Sequence, residues 1–409
     1  MNYDNMMTSE IELSTVISDI AAGPFGSNLK VSCFVPDGFP IIDGANLKGF
    51  KVTDNVTKFV TDEKAHSLER SIAHRGDVVS TISGTLGQIA YIPDDSKYEG
   101  YLCSQRQFRI TFDKLKVYPP YIVFYFHTRE GQHKILSFAS QVGVPALAQP
   151  LKNFRKIKMF LPGIEEQKRI ANIIEILNEK IETNNQINDN LLQQARFMFR
   201  RWLVDNLPSK CRLSEVASIN PETYSPKDEW SFVNYLDTSS ITSGTITEVQ
   251  QIRPSEEKLP SRARRILRKN DVVFSTVRPN QLHYGIISNP IPNMLGSTGF
   301  AVIRSKRPSI PNEIIYLALT EPSFVEQMQQ LAEQSVSTFP SIRPADLDAC
   351  LIPDTQEEDK DFISSIQALF RAVASGNEEN KCLSALRDTL LPRLMSGEID
   401  VSNITTLSR

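Results

Sequence analysis

From Ile170 to Trp202 the apolar and polar positions follow one rule. Ile170, Ile174, Leu177, Ile181, Asn184, Asn188, Leu191, Ala195, Met198 and Trp202 succeed one another at spacings of four and three, the heptad pattern of a helix that packs along a single seam. Only the middle of that seam is polar. At 1.5 Å per residue, a helix of about 33 residues carries the chain about 50 Å. The seam returns 192 residues later as Phe362, Ile366, Leu369, Val373, Gly376, Asn380, Leu383, Arg387, Leu390 and Leu394, again interrupted at its centre. If the second helix runs back along the first, the Asn184/Asn188 layer faces the Gly376/Asn380 layer. Asparagines buried in this way cost stability but fix register.

The repetition extends beyond the helices. FLPGIEEQ precedes the first and LIPDTQEED the second, each a proline followed by acids at a helix start. Upstream, HRGDVVSTISGTLGQIAYI around Asp77 is answered by LRKNDVVFSTVRPNQLHYGII around Asp271, about 194 positions on. Short β-type runs (VVSTI, QIAYI, DVVFSTV, FAVIR) and turn signals fill the region before each helix. The chain thus reads as one α+β unit written twice, its two small mixed domains separated by two long helices that form an antiparallel coiled coil.

A length of 409 residues with a formal net charge of −3 allows two or three domains and excludes a protein that is basic all over. Any nucleic-acid affinity must come from local patches. The five cysteines (Cys33, Cys103, Cys211, Cys350, Cys382) are scattered without a C-x-x-C, which predicts neither a disulfide framework nor a zinc site and fits a reducing cytoplasm. No stretch approaches the apolar length of a membrane span, and the first residues lack the basic and apolar regions of a signal peptide. The expected location is cytoplasmic, with no membrane partner.

Catalytic motifs are hard to find. Gly23-Pro-Phe-Gly26 and Gly84-Thr-Leu-Gly87 are only G-x-x-G, no P-loop is present, and no N/D-P-P-Y/F motif accompanies a glycine-rich cofactor loop. Asp94 and Asp95 in PDDSKYEG read as a surface turn rather than a metal site. His66, His74, His127 and His133 lack metal-ligand spacing. The expectation is a chain without catalytic or metal-binding residues.

GPFGSNLK, RGDVVSTISGTLGQIAYI, LPGIEEQKRI, ARFMFRRWLVD, STVRPNQ, GSTGFAVIR and LLPRLMSGEI resemble, in that order and over almost the whole chain, the DNA-specificity subunit of Type I restriction-modification systems. The second half departs from the pattern, with QEEDKDF in place of EEQKRI and Arg387 at a seam position. The resemblance implies a first target-recognition domain over 1–160, a spacer helix over 161–206, a second recognition domain over 207–353, a second helix over 354–396 and a tail over 397–409. It implies a non-catalytic subunit that binds a bipartite, asymmetric site on double-stranded DNA, one half per domain. Its helices would dock two modification subunits that methylate adenine with S-adenosylmethionine, joined by restriction subunits that use ATP and Mg; no cofactor would be bound by this chain itself.

DNA binding needs cations and backbone amides for phosphates and forked Arg, Asn or Gln groups for base edges. In the first domain these types collect at Ser27, Asn28 and Lys30, where glycines allow close backbone approach, and at Gln105, Arg106 and Gln107 in SQRQF. In the second they are Arg278, Asn280 and Gln281 in STVRPNQ, Ser297 and Thr298 in GSTG, and Ser341 and Arg343 in PSIRP. The basic run RARRILRK, with Arg265, Arg268 and Lys269, offers phosphate affinity against the neutral background. Two rival readings fit the same residues: an enzyme with an unrecognised active site, and a coiled-coil scaffold that binds protein partners without reading DNA.

Overall fold

In the computed structural model the described residues are 10–140, 145–335 and 339–403, without the side chains of Ser27 and Pro226. Two compact units form: Met1–Ile181 with Cys382–Arg409, and Glu182–Lys381.

The first unit folds its short apolar runs into strands β1 (Ile17–Ala22), β2 (Phe39–Ile42), β3 (Phe59–Val60), β4 (Ile72–His74), β5 (Val78–Thr81), β6 (Ile89–Tyr91), β7 (Gly100–Cys103) and β8 (Gln107–Phe112). They make two four-stranded sheets, ordered β1-β8-β5-β6 and β3-β2-β7-β4. In the second unit the strands are β9 (Ala217–Ile219), β10 (Val233–Leu236), β11 (Gln250–Ile252), β12 (Ala263–Ile266), β13 (Asp271–Ser275), β14 (Tyr284–Ile287), β15 (Met294–Ser297) and β16 (Phe300–Ser305). Their sheets are ordered β9-β16-β13-β14 and β11-β10-β15-β12, the same arrangement with every number raised by eight. Each unit has a single parallel pairing among these eight strands, Ile41 beside Leu102 in one and Tyr235 beside Leu295 in the other. The α+β repeat expected from the sequence is therefore present strand for strand.

A helix packs on the first-named sheet of each unit. Pro119–His127 in the first unit is buried through Phe126, and its counterpart Asn312–Leu319 is buried throughout. The two aspartates that the repeat places at matching positions are anchors. Asp77, buried, accepts from Thr111 Oγ1 (2.6 Å) and the His74 N–H (2.9 Å). Asp271, fully buried, takes two bonds from the Arg304 guanidinium (2.7 and 2.8 Å) and the Arg268 N–H. Burial without such donors would cost several kcal/mol.

The seam segments become α1 (Ile164–Asn206) and α2 (Lys360–Met395), the latter preceded by a 3-10 turn at Glu357–Asp359. Gln167 of the EEQ motif is fully buried and ties the start of α1 to its domain: Nε2 donates to Lys116 O and Pro162 O (2.8 Å each) and Oε1 accepts from the Tyr118 N–H (2.9 Å). Within the first unit Ile170, Ala171 and Ile174 share a core with Leu391, Leu394 and Met395. Arg387, the unexpected seam cation, bonds Asn178 Oδ1 (3.0 Å) and lies 5.5 Å over Phe50. Its guanidinium also pairs with Asp388 (2.8 Å), so the charge is met locally.

Within the second unit Asn184 donates to Glu379 and Asn380 (2.9 Å each), Asn188 donates to Asn377 (2.9 Å), and Asn380 donates to Asn185 (2.8 Å). Trp202 stacks on Phe362 with ring centroids 5.0 Å apart. In both units numbers rise along one helix as they fall along the other, so the packing is antiparallel, and the expected polar layer forms.

Candidate nucleic-acid interface

In the first unit two sequence motifs that are far apart in the chain meet. The Gly23 N–H donates to Gln107 O (2.8 Å), and a Cβ at Gly23 would lie 1.9 Å from Ser104 O. Only glycine permits this approach, which seats the GPFGSNLK turn on SQRQF. Beyond that anchor Phe25 is 69% exposed, and Asn28, at the end of a short 3-10 turn, and Lys30, in the extended residues after it, are exposed. Ser27 has its side chain outside the described residues. Gln105 and Arg106 are exposed and line a cleft of 590 Å³ with Lys48, Lys58, Asp43 and Thr81.

The cleft is polar and carries more positive than negative charge. Lys58 pairs with Asp43 (2.7 Å). Burial works to raise the Asp43 pKa, yet the Lys58 ammonium and the Ala45 N–H together hold it below its ordinary value. Lys48 and Arg106 have no carboxylate partner among the described residues. The floor is held by Gln88, whose Nε2 donates to Gly44 O (3.0 Å). Gln107 corrects the sequence reading: it is 1% exposed, at the start of β8, and its amide oxygen accepts from the Ser104 hydroxyl. Its side chain is committed to building the turn at the cleft's inner wall.

The corresponding surface of the second unit begins at the loop after β13. Arg278, Asn280 and Gln281 are exposed; the Asn280 N–H donates to Gln329 Oε1 (3.2 Å). Arg278 adopts a left-handed backbone, φ 47°, a conformation that costs a non-glycine residue about 1–2 kcal/mol. Its guanidinium lies 5.1 Å from the centre of the Phe339 ring, itself 55% exposed. Thr298 is exposed, but Ser297 is 0% exposed and its Oγ accepts from the Gly299 N–H (3.2 Å). Ser297, like Gln107, is a turn-forming residue and not a surface donor. Ser341 is half-buried and bridged to Val277. Arg343 is exposed but spends its guanidinium on Asp346 (2.8 and 3.3 Å).

The basic run is only partly free. Arg265 is half-buried on β12, with its Nε unpartnered and its pKa lowered by burial. Arg268 bonds Glu222 (2.7 Å), which also receives Arg304 (2.6 Å). Hydrogen bonds from Arg268 and Arg304 draw the Glu222 carboxyl down to about 2. Lys269 is exposed without an ion-pair partner among the described residues. The structure therefore gathers Asn28, Lys30, Gln105 and Arg106 around one surface and Arg278, Asn280, Gln281 and Thr298 around its counterpart, while Arg268 and Arg343 are engaged locally. Sequence reasoning missed Phe25, Phe339, Lys48 and Lys58. The aromatics read as core types, and the lysines lie outside the motifs.

Among the described residues no group of three or more His, Cys, Asp or Glu side chains could hold a metal ion, and no helix is long and apolar enough to cross a membrane. Residues 36–193 match the family model of the Type I restriction modification DNA specificity domain. The chain is 23% identical over 319 residues to the HindI specificity subunit of Haemophilus influenzae, covering 59% of this chain and 69% of that one. It is 21% identical over 368 residues to the MjaIX specificity subunit of Methanocaldococcus jannaschii, covering 84% and 82%. The fold is similar to the crystal structure of a Type I restriction-modification S subunit from M. genitalium, with a TM-score of 0.57 at 14% identity over 96% of this chain and 98% of that one. The resemblance to specificity subunits holds in sequence and in fold.

Proposed function

We propose that this chain is the non-catalytic specificity subunit of a Type I restriction-modification complex and reads a bipartite, asymmetric DNA site, one half with each unit. The observation that carries this reading is the repetition of one polar, cation-bearing loop surface on two units of identical strand order, in a chain with the specificity domain. A duplex is bound through many modest contacts, and the surfaces supply them: exposed lysines on the first for phosphates, and Arg, Asn and Gln on both for base edges. The helices are the docking surface for two modification subunits, which bring S-adenosylmethionine, and through them for restriction subunits that use ATP and Mg. Phe197 and Val204 on α1, both well exposed, supply apolar area for such a partner.

The test exchanges residues 1–155 for those of another specificity subunit, co-expresses the hybrid with modification subunits and maps methylated positions across a genome. One half of the split site is expected to change while the other is retained. A change in both halves or in neither refutes modular reading. Assembly with partners but no methylation pattern for the parent chain favours a protein scaffold, and methylation by the purified chain alone favours an enzyme.

A further inference from the structure

Hydrogen bonds fix which residues of the two units correspond, independently of residue type. In the first unit the Ile82 N–H donates to Arg106 O and the Gly84 N–H to Pro145 O (3.0 Å); in the second the Thr276 N–H donates to Gly299 O (2.8 Å) and the Arg278 N–H to Pro340 O (3.0 Å). The strand register agrees, since Val78 sits opposite Ile110 and Val272 opposite Ile303. Ser104 and Ser297 correspond as well: the Oγ of each accepts the N–H two residues on, from Arg106 (3.4 Å) and Gly299 (3.2 Å). Arg106 therefore stands where the second unit has Gly299, and Arg278 where the first has Gly84.

The exchange is reciprocal. Each unit carries one arginine and one glycine on two hydrogen-bonded loops, with the loops' roles swapped. Gly84 has φ +89° and its counterpart Arg278 φ 47°, so the backbone keeps a left-handed turn even where it must hold a side chain. A Cβ at Gly84 would lie 3.8 Å from Arg106 Nη1: the guanidinium occupies the space in front of the glycine on the neighbouring loop. At Gly299 a Cβ would lie 2.6 Å from Thr238 Oγ1, so a side chain on that loop of the second unit would have to displace the threonine hydroxyl.

Both guanidiniums are available. Arg106 and Arg278 are exposed and make no side-chain hydrogen bond or ion pair with a described residue, whereas Arg109, Arg268, Arg304 and Arg343 are each committed to a carboxylate. A phosphate contact needs only a mobile cation, for which a lysine serves. At Arg278 a strained backbone and the Phe339 ring beside the guanidinium fix the plane of the fork; a planar fork of two N–H donors, which the exposed Arg106 presents without those two devices, matches the O6 and N7 acceptors of guanine.

We infer that Arg106 and Arg278 are equivalent guanine-reading residues, one per unit, delivered to the same loop junction from opposite loops. The inference deepens the proposed function and rests on it. The test assembles the full chain with its modification subunits and selects bound DNA from a duplex library randomised across the site. It compares the parent with Arg106→Lys, Arg278→Lys and Arg278→Gly. The parent is expected to require a G·C pair at one position in each half. Each lysine variant keeps the charge but loses the fork, and relaxes that requirement roughly 5- to 150-fold in its own half only, equivalent to about 1–3 kcal/mol. Arg278→Gly reproduces the residue of the first unit at a compatible backbone, so it assembles normally and relaxes the same position as Arg278→Lys. Lysine variants with the parental base profile, or variants that weaken all sequences equally, overturn the inference while leaving the proposed function standing. A parent complex with no sequence preference overturns the proposed function itself, and the inference with it.

Discussion

Gly376 and Asn188 face each other within the second unit at a distance that decides the sign of a substitution. A Cβ at Gly376 would lie 2.6 Å from Asn188 Oδ1 and 3.1 Å from its Nδ2, and Asn188 is buried with its amide donated to Asn377 Oδ1 (2.9 Å). In an open helix interior Gly→Ala gains about 1 kcal/mol. Here the new methyl must displace the amide, which loses its partner and leaves a buried polar group, at a cost of about 1–3 kcal/mol. Gly376→Ala is therefore expected to be neutral to destabilising by about 2 kcal/mol. In an Asn188→Ala background no amide stands in the way, and the same change should stabilise by about 1 kcal/mol. The coupling between the two positions is then about 1–3 kcal/mol, within the range of residues in contact. Urea denaturation of the four full-length variants, with hydrogen exchange followed over 182–206 and 360–381, measures it. If Gly376→Ala gains about 1 kcal/mol in both backgrounds, the asparagine layer does not constrain the helix pair as described.

Gln167→Ala should destabilise the first unit by on the order of 2–3 kcal/mol, since three backbone groups, one of them fully buried, lose their partners; faster hydrogen exchange confined to 113–118 and the start of α1 is the readout, and unchanged protection there contradicts the anchoring role. Arg304→Met strands the buried Asp271 carboxylate and should cost about 3–5 kcal/mol. Adding Asp271→Asn should recover part of that loss in thermal melts, and strict additivity would count against the pairing. The Glu222 carboxyl has a folded value of about 2 against an ordinary 4.5, so it contributes stability above about pH 4.5 that is lost as pH falls toward 2. Glu222→Gln should flatten the acid limb of the second unit's stability profile over that window, and an unaltered slope rules the linkage out.

Periodicity made the helices legible. Ten seam positions recurring at one offset require a repeated helix, and asparagines at the centre of an otherwise apolar seam can only be a register layer or a failure of packing. The order of strands within each sheet was not legible, because hydrogen-bonded neighbours such as Ile17–Ala22 and Gln107–Phe112 are far apart in sequence. Gln107 and Ser297 were misassigned because short polar side chains beside a turn serve its backbone as readily as they serve a ligand. Phe25 and Phe339 were passed over for the opposite reason, since aromatic residues usually read as core. The equivalence of Arg278 with Gly84 is hidden in a residue-by-residue comparison: the types differ, and the loop from Ser275 to His283 is one residue longer than that from Thr81 to Gln88, which its closing hydrogen bonds mark out.

The first unit is discontinuous, closed by Leu391, Leu394, Met395 and Val401 packed among Leu13, Tyr121 and Ile170. On the ribosome, where chains fold from the N-terminus as they emerge, its recognition strands are made first but its core is finished last. The uninterrupted second unit can complete its own core beforehand. Premature termination within α2 beyond Lys381 would thus injure the part of the protein synthesised earliest and spare the part synthesised in between.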